Sequence, residues 1–266
     1  MICVLGDAHL DVIVRLFGAV AADTDTPAQT SVGLGGQAAN VAAWVVALGG
    51  RSRLIAARAS DVAARLVAGE LASRGVDLVG PVVNGRTGVV VSLSDGGAQR
   101  SMLTDRGAGP LLSADTLDPS WLDGCSWLHL SAYSLVRAPV QGAAVAAARA
   151  ASDRLARLSV DLSSTAAISE YGVAACRDLI AGLRPDVVFG NQAEVDLVGD
   201  LPGAETIVKL GANGIRVAGR HYPATRTEPV DATGAGDAFA AGYLVGGVAL
   251  GLAAAARAVA TMGAMP

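Results

Sequence analysis

The sequence holds few lysines, cysteines, aromatic residues and charges. Lys209 is the only lysine among the 266 residues, and the glycine pattern GxxxxGK[ST] does not precede it, which excludes a P-loop. The three cysteines, Cys3, Cys125 and Cys176, lie far apart without a CxxC pair. We therefore expect neither a disulfide framework nor a structural zinc site.

Charged residues make up 17% of the chain and hydrophobic residues 52%, which argues against intrinsic disorder. The net charge of −4 and the sequence pI of about 5.3 argue against a nucleic-acid-binding surface. The N-terminus, MICVLGDAHLD, has no basic region and reaches Asp7 early, so we expect no signal peptide. Residues 238–256 are uncharged but rich in alanine and glycine, and we interpret them as a buried helix, a break and a second helix rather than a membrane span. These features together favour a cytoplasmic protein.

Apolar runs alternate with helical patterns along the chain. MICVLG predicts a buried strand, GGQAANVAAWVVALGG a helix from about Gln37 to Leu48, RSRLIAARA a second strand, and SDVAARLVAGELASRG a helix with Ser60 as its N-cap. Later strands are predicted at SWLHLSA, RLSVDLS, PDVVFGN and ETIVKLG, with helices between them and a hairpin at GIRVAGRHYPA. This alternation predicts an α/β fold with a doubly wound, mostly parallel sheet flanked by helices.

Two regions, about 12–32 and 81–104, break that alternation. The second reads as two strands around the turn SDGGAQ. We expect the two regions to form a small β-sheet lid over the carboxyl edge of the main sheet, within a single domain spanning 1–266. Exposed edges of the lid strands favour a homodimer through the lid.

Two polar clusters fall where ligands bind in open α/β sheets. GDAHLD places Asp7, His9 and Asp11 after the first strand, where carboxylates suit the paired hydroxyls of a polyol; a polar loop with an Asx turn is the alternative. GLGGQAAN places glycines and Asn40 at the start of a helix, either for a close ligand or as a plain tight turn. It lacks the GxGxxG spacing of a dinucleotide site, because position 38 is alanine.

A third cluster, NQAE, fits two readings. Asn191 can cap a helix with Glu194 in a capping box, or Glu194 can lie near a hydrated Mg²⁺, an ion that needs few protein carboxylates.

The fourth cluster is DATGAGDAFAAGYL. Gly234 and Gly236 allow a sharp turn that directs the N–H groups of Ala235 to Asp237 out of a helix N-terminus, which makes an anion site without lysine. A carboxylate there is placed to remove a proton from an attacking hydroxyl. The alternative is a simple helix cap, which leaves the glycines and Asp231 unexplained.

These motifs resemble the ribokinase-like, phosphofructokinase-B type, carbohydrate kinases. DATGAGDAFAAGYL is similar to their DTxGAGD signature, with Ala232 in place of the usual threonine. GGQAANVAAWVVALGG, NQAE and VKLGANG resemble their glycine signature, their NxxE motif and their nucleotide-bordering segment. The order of the motifs matches across nearly the whole chain.

The resemblance implies transfer of the ATP γ-phosphoryl group to a sugar hydroxyl with Mg²⁺. Asp237 would be the general base, with Gly234, Ala235 and Gly236 in the anion hole. Asp231 would support that loop and a nearby monovalent cation such as K⁺. The residues implied to hold the sugar are Asp11, Gly35, Gly36 and Asn40, beside the candidates Asp7, His9 and Arg106. Asn191 and Glu194 would organise Mg²⁺-bound water, and Lys209, Gly211 and Gly214 would lie beside the nucleotide. Arg106, in LTDRGAG, either meets an acidic substrate or forms a surface salt bridge.

Three functions follow from this reading. The first is an ATP-dependent sugar kinase, and the second is a nucleoside kinase of the same fold. The third is a catalytically silent sugar-binding regulatory protein. A nicotinamide-dependent oxidoreductase is disfavoured, because its fingerprint is absent.

Overall fold

The structure is a computed structural model that describes residues 1–94 and 100–266. In these residues two sheets form. The larger has nine strands, in the spatial order β13 (Arg220–Tyr222), β12 (Ile215–Val217), β11 (Glu205–Lys209), β10 (Val187–Asn191), β9 (Arg157–Asp161), β8 (Trp127–Ser131), β1 (Ile2–Leu5), β4 (Ser52–Ile55) and β5 (Asp77–Val79). All neighbours pair in parallel except β11–β12 and β12–β13, which are antiparallel; β12 and β13 form the predicted hairpin at one edge.

Helices cover both faces of this sheet. Their bounds are α1 Gln37–Ala47, α2 Val62–Ser73, α3 Ala132–Leu135, α4 Val140–Asp153, α5 Thr165–Tyr171, α6 Val173–Leu183, α7 Gln192–Val198 and α8 Ala235–Val259. Successive side chains of β1 point to opposite faces: Val4 belongs to the buried cluster that includes α1 and α8, whereas Leu5 belongs to the cluster that includes α4 and α6. The doubly wound α/β fold predicted from the alternation is confirmed.

The strand order reverses at β1. The chain proceeds from β1 to β4 and β5 on one side and later returns to β8 on the other. In open α/β sheets such a reversal leaves a crevice outside the carboxyl ends of the two strands, and ligands bind there. The predicted polar cluster GDAHLD begins at this point.

The smaller sheet has the order β3 (Ala28–Gly35), β2 (His9–Leu16), β6 (Thr87–Ser94) and β7 (Arg100–Gly107). The two regions that broke the alternation therefore meet, through parallel pairing of β2 with β6. Each region contributes two strands, and the outer ends of each pair of strands lie within a few residues of the predicted bounds of that region. The predicted turn SDGGAQ covers residues 94–99: Ser94 ends β6, and residues 95–99 lie outside the described residues.

Two local predictions are wrong. The N-cap of α2 is Asp61 rather than Ser60, because the Asp61 carboxylate accepts the Ala64 N–H at 2.8 Å and also binds Thr87 of the small sheet. His9 and Asp11 lie on β2 rather than on a loop, since the chain enters the small sheet directly after Ala8.

Helix α8 is long and apolar enough, by length and composition alone, to cross a membrane. Its helical geometry is interrupted at Gly246 and Gly247, where Gly247 has φ 79°. Ala238, Ala241 and Leu244 are buried against α1 and the main sheet. The expected helix, break and second helix are therefore present, with the first segment in the core.

Candidate active site

The site is centred on Asp237, in the first turn of α8. Gly234 is the N-cap of this helix and has φ 75°, in the left-handed region that favours glycine. A Cβ at Gly234 would lie 2.6 Å from the Cα of Ala264, so a side chain there would force the loop outward. The sharp turn predicted for DATGAGD thus depends on this glycine for both its backbone conformation and its close packing.

The backbone N–H groups at the start of α8 differ in their hydrogen-bond partners. The Ala235 N–H turns back to the Ala232 carbonyl at 3.3 Å, and the Ala238 N–H donates to Gly234 at 2.8 Å. We therefore expect the N–H groups of Gly236 and Asp237, rather than three N–H groups, to face a bound anion.

Asp231 braces the loop before α8. Its Oδ1 accepts hydrogen bonds from the N–H of Thr233 at 2.9 Å and from the Thr233 hydroxyl at 2.6 Å. Its Oδ2 accepts the Gly263 N–H at 3.0 Å. The next residue, Ala264, accepts a hydrogen bond from the Trp44 indole at 2.9 Å. Residues distant in sequence therefore fix the shape of the turn at which α8 begins.

Helix α1 delivers Asn40 to Asp237. The Asn40 amide Nδ2 donates to Asp237 Oδ2 at 2.7 Å. Burial raises the pKa of Asp237 to about 7, the Asn40 hydrogen bond opposes this rise, and the negative charge of Asp161 adds to it. A carboxylate that titrates near neutral pH can both accept and release a proton, which suits a general base.

A buried ion pair stands next to this turn. Lys209, at the end of β11, donates from Nζ to Asp161 Oδ2 at 2.7 Å, and Asp161, at the end of β9, is 1% exposed. Burial lowers the pKa of Lys209, but the charge and hydrogen bond of Asp161 outweigh burial and raise it, so Lys209 stays charged. A Cβ at Gly236 would lie 3.3 Å from Lys209 Nζ. The only lysine of the chain therefore lies beside the turn at which α8 begins.

Asp7 and Arg106 form the opposite side of the crevice. Arg106 Nη1 lies 2.8 Å from Asp7 Oδ2, and the Arg106 guanidinium carbon lies 4.1 Å from the centre of the Tyr133 ring. The Arg106 and Asp7 side chains are 22% and 11% exposed. The salt bridge predicted as one alternative is present, but it is half-buried in the crevice rather than on the open surface.

The remaining sugar candidates lie where β2, β3 and α1 meet. His9 Nε2 lies 3.2 Å from Asp11 Oδ1. A Cβ at Gly35 would lie 2.2 Å from Asp11 Oδ1, so Gly35 makes room for that carboxylate. Gly36, with φ 103°, is the N-cap of α1 and packs against the Asp7 carbonyl. Within the described residues, His9 Nδ1 and Asn40 Oδ1 are buried without a hydrogen-bond partner, which leaves them able to bind a polar ligand.

NQAE forms the predicted capping box. Asn191 Oδ1 accepts the Glu194 N–H at 2.9 Å, and Glu194 Oε2 accepts the Asn191 N–H at 2.8 Å. Burial raises the pKa of Glu194. Across the described ranges, no three His, Cys, Asp or Glu residues cluster as metal ligands. A metal ion here would need phosphate oxygens or water for most of its coordination.

A short 3-10 helix, Gly211–Asn213, lies between β11 and β12; it begins at Gly211, and Gly214 is its C-cap. Gly214 has φ 87°, and a Cβ there would lie 2.1 Å from the Tyr222 carbonyl. The tight turn between β11 and β12, which follows Lys209, explains the conformation of these glycines.

The structure thus brings Asp237, Asn40 and Lys209 together, with Asp7 and Arg106 facing them across the crevice. Sequence reasoning missed Asp161 and Tyr133. A signal for Asp161 was present, because it is the polar residue that ends the apolar run RLSVD at the carboxyl edge of the sheet.

Comparison with known proteins identifies the class. The model of the pfkB family carbohydrate kinases matches residues 1–265. The chain therefore belongs to the pfkB family of carbohydrate kinases, and the predicted family, fold and phosphotransferase class are confirmed.

Two relatives show how far sequence similarity extends. An ATP-dependent ribose-1-phosphate kinase of Halopiger xanaduensis is 30% identical over 218 residues, covering 79% of this chain and 72% of that protein. A fructokinase of Escherichia coli is 29% identical over 241 residues, covering 82% of this chain and 78% of that protein. The names of these two kinases differ in the sugar acceptor.

Solved structures share the fold. An adenosine kinase from Sinorhizobium meliloti has a TM-score of 0.85 and 23% identity, covering 100% of this chain and 95% of that chain. A putative ribokinase II from E. coli, in complex with ATP and Mg²⁺, has a TM-score of 0.84 and 22% identity, covering 99% and 94%. At this identity the likeness concerns the fold.

Proposed function

We propose that this carbohydrate kinase transfers the γ-phosphoryl group of ATP to a hydroxyl of a sugar, with Asp237 as the general base. The observation that carries the proposal is the position of Asp237, a carboxylate with a pKa of about 7 at the N-terminus of α8, beside Lys209. A relative named an ATP-dependent kinase and a similar structure in complex with ATP and Mg²⁺ support ATP as the donor.

In the proposed step the sugar hydroxyl oxygen attacks the γ-phosphorus. Asp237 accepts the hydroxyl proton as the new P–O bond forms, and the bond to the bridging oxygen breaks with its electron pair leaving on ADP. The Asn40 amide holds the Asp237 carboxylate in one orientation at 2.7 Å. Proton transfer and phosphoryl transfer thus occur at the same helix end.

The anion hole would be formed by the loop of Gly234, Ala235 and Gly236. The N–H groups of Gly236 and Asp237, with the α8 dipole, would stabilise negative charge on the phosphoryl oxygens. Lys209 adds a positive charge that remains in place because Asp161 holds it. Gly211 and Gly214, in the turn that follows, would lie along the nucleotide.

Asn191 and Glu194 would hold Mg²⁺ through water. The fit of these two residues to a hydrated Mg²⁺ rests on Glu194. Its carboxylate is buried near the ends of β10 and β11, and its Oε2 accepts the Asn191 N–H. Mg²⁺ supplies charge neutralisation on the phosphate oxygens when bound. A monovalent cation such as K⁺ near the loop braced by Asp231 is a further expectation, tested by turnover with and without potassium.

On the acceptor side, Asp11, Gly35, Gly36, Asn40, Asp7 and His9 would bind the sugar. The buried, unpartnered His9 Nδ1 and Asn40 Oδ1 of the described chain favour a ligand rich in hydroxyl groups. The same observation would fit a nucleoside ribose, and a combined sugar and nucleoside panel separates the two acceptors.

Asp237→Asn tests the proposal. We expect kcat to fall by roughly 10²–10⁴-fold with the true acceptor, since the amide cannot take the proton. ADP release is measured with a panel of sugars and nucleosides, with ATP and with GTP as donors.

The matched control is Asp178→Asn, on the exposed side of α6, where the side chain is 77% exposed. It should leave turnover unchanged. If Asp237→Asn stays within a few-fold of wild type, the assignment of the base is refuted. If wild type releases no ADP with any acceptor, the silent regulatory protein is the better reading.

A further inference from the structure

Two of the three cysteines lie together in the core, although they stand far apart in the sequence. Cys3 is on β1, and Cys125 stands two residues before β8, the strand next to β1. Both side chains belong to the buried cluster on the face of the main sheet that α4 and α6 cover. Both are free thiols. The spacing of the cysteines in the sequence could not indicate this contact.

The strand register brings the two sulfur atoms close together. In the parallel pairing of β1 with β8, Cys3 lies opposite Leu128. The Cys125 thiol donates to the carbonyl of Trp127 at 3.0 Å, and this carbonyl directly precedes Leu128. Neighbouring strands are about 4.8 Å apart, so the Cys125 sulfur reaches the strand position opposite Cys3. The two thiols are in hydrogen-bond contact there.

Two carbonyls at the end of a short 3-10 helix also hold the pair. The Trp121 carbonyl accepts a hydrogen bond from the Cys3 thiol at 3.8 Å, and the Leu122 carbonyl accepts the Cys125 N–H at 3.0 Å. Arg53 Nη1 donates to the same Trp121 carbonyl at 3.0 Å. A guanidinium therefore lies beside the two thiols, and positive charge of this kind favours a thiolate.

The two thiols differ in acidity and in access. Their mutual hydrogen bond lowers the pKa of Cys125, whereas the same bond and burial raise the pKa of Cys3. Cys3 is 0% exposed and Cys125 is 8% exposed. The neighbours of Cys125 in the chain, Asp123, Gly124 and Ser126, are exposed. Because the thiolate is the nucleophile, Cys125 is placed to react first with a small oxidant from solvent.

We propose that Cys3 and Cys125 form a redox site, in which a peroxide oxidises the two thiols to a reversible disulfide that stabilises the fold. The Cys125 thiolate attacks one oxygen of hydrogen peroxide, the O–O bond breaks, and the departing hydroxide takes up the proton that the Cys125 thiol released. The Cys3 sulfur then attacks the sulfur of the Cys125 sulfenic acid, and the Cys3 proton leaves with the hydroxyl group as water. Two thiols and one peroxide give one disulfide and two water molecules. A dithiol reductant reverses the change by exchange.

The disulfide would close a loop that runs from β1 to the entrance of β8. That loop contains the small sheet, α1 and α2, so the cross-link removes conformational freedom from a large part of the unfolded chain. The cysteines lie near the amino ends of β1 and β8, whereas the crevice lies outside the carboxyl ends. Oxidation should therefore raise stability without filling the crevice, and the redox site is independent of the proposed kinase function.

Thiol titration after peroxide treatment tests the proposal. The reduced full chain is treated with a few-fold excess of hydrogen peroxide, unfolded in guanidinium chloride and titrated with a chromogenic thiol reagent. We expect the free thiols to fall from three to one per chain, because two form the disulfide, and to return to three with dithiothreitol. Peptide mass spectrometry should find Cys3 joined to Cys125. The melting temperature of the oxidised protein should exceed that of the reduced protein by roughly 4–15 °C.

Cys176→Ser is the matched control. Cys176 lies on α6 and is 0% exposed, and burial raises the pKa of its thiol, so this variant should still lose two thiols. Cys125→Ser should lose none under the same treatment. Cys3→Ser keeps the nucleophile without its partner, and dimedone should then label Cys125 as the sulfenic acid.

Three free thiols after peroxide treatment, in wild type that remains folded by circular dichroism, would overturn the redox site. A loss of thiols that dithiothreitol does not reverse would also overturn it, as would a disulfide that joins two chains on a non-reducing gel. An oxidised protein that melts no higher than the reduced one would overturn the stabilising role. These outcomes are all measured on wild type, so a variant that fails to fold does not affect them.

Discussion

The two sides of the crevice carry charges in different ways. On the phosphoryl side, Lys209 and Asp161 are paired at 2.7 Å, with their side chains 19% and 1% exposed. On the acceptor side, Arg106 and Asp7 are paired at 2.8 Å, with their side chains 22% and 11% exposed. Every carbohydrate kinase of this kind must handle a phosphoryl group, whereas its acceptor varies. In the proposed function, the Lys209–Asp161 pair would serve the common chemistry and the Arg106–Asp7 pair would serve binding of the acceptor.

Removing one charge from each pair should reveal this gradient. Lys209→Met leaves Asp161 charged and buried, and we expect a loss of about 3–5 kcal/mol in the free energy of unfolding. Arg106→Met should cost about 1–3 kcal/mol, and Arg154→Met, from the exposed pair with Asp123, under about 1 kcal/mol. Urea unfolding followed by tryptophan fluorescence measures all three.

A second change separates charge from packing in this series. Asp161→Asn, added to Lys209→Met, should recover part of the lost stability because the unpaired charge is gone. The contrast between the two sides would be lost if Lys209→Met and Arg106→Met proved equally costly.

A substitution in the loop before α8 should have a smaller effect on stability, and a second glycine with nearly the same φ provides the control. Gly234→Ala introduces a side chain at φ 75° and within 2.6–2.8 Å of Ala264, so we expect a loss of roughly 2–4 kcal/mol and a raised KM for ATP. Gly219→Ala, at φ 79° but with nothing within 4 Å, should cost only about 1–2 kcal/mol.

Thermal unfolding and ATP kinetics report both effects. Equal losses in the two variants would mean that backbone conformation alone explains Gly234. The close contact with Ala264 would then have no part in shaping the anion site.

The smallest expected effect concerns pH. If Asp237 is the base, as proposed, its pKa of about 7 in the ligand-free protein means that kcat/KM should rise with pH and level off above about pH 7. The Asn40 hydrogen bond lowers this pKa, so Asn40→Ala should move the rising limb to higher pH. The kcat/KM profile is measured from pH 5 to 9 with the preferred acceptor. A limb that stays in place in Asn40→Ala would show that another group titrates.

Local patterns in the sequence predicted the strands, the turn and the helix cap on which the candidate site is built. Short apolar runs bounded by glycine predicted the buried strands, since only strands covered on both faces need such runs. Two glycines beside Asp237 predicted a sharp turn at a helix N-terminus, and the left-handed Gly234 has that conformation. The capping box of Asn191 and Glu194 follows from spacing alone.

Contacts between distant segments could not be predicted in this way. Ala264 reaches Gly234 only because α8 turns back at Gly246 and Gly247 and ends beside its own start. Tyr133 belongs to α3, a four-residue helix too short for any apolar period to mark. Asp61 replaced Ser60 as a cap because its carboxylate also binds Thr87 of the small sheet.

The buried carboxylate of Asp237, in the first turn of α8, also lowers the stability of the folded state when it is ionised. Folding raises the pKa of Asp237 from 3.8 to about 7, so the native protein favours the protonated form. The stability from this group is complete below pH 3.8 and is lost as the pH rises through about 7. Above that pH, where the proposed base would be active, the fold therefore carries an ionised group that it disfavours. A residue chosen for stability alone would not ionise at this position, which fits the role proposed for Asp237.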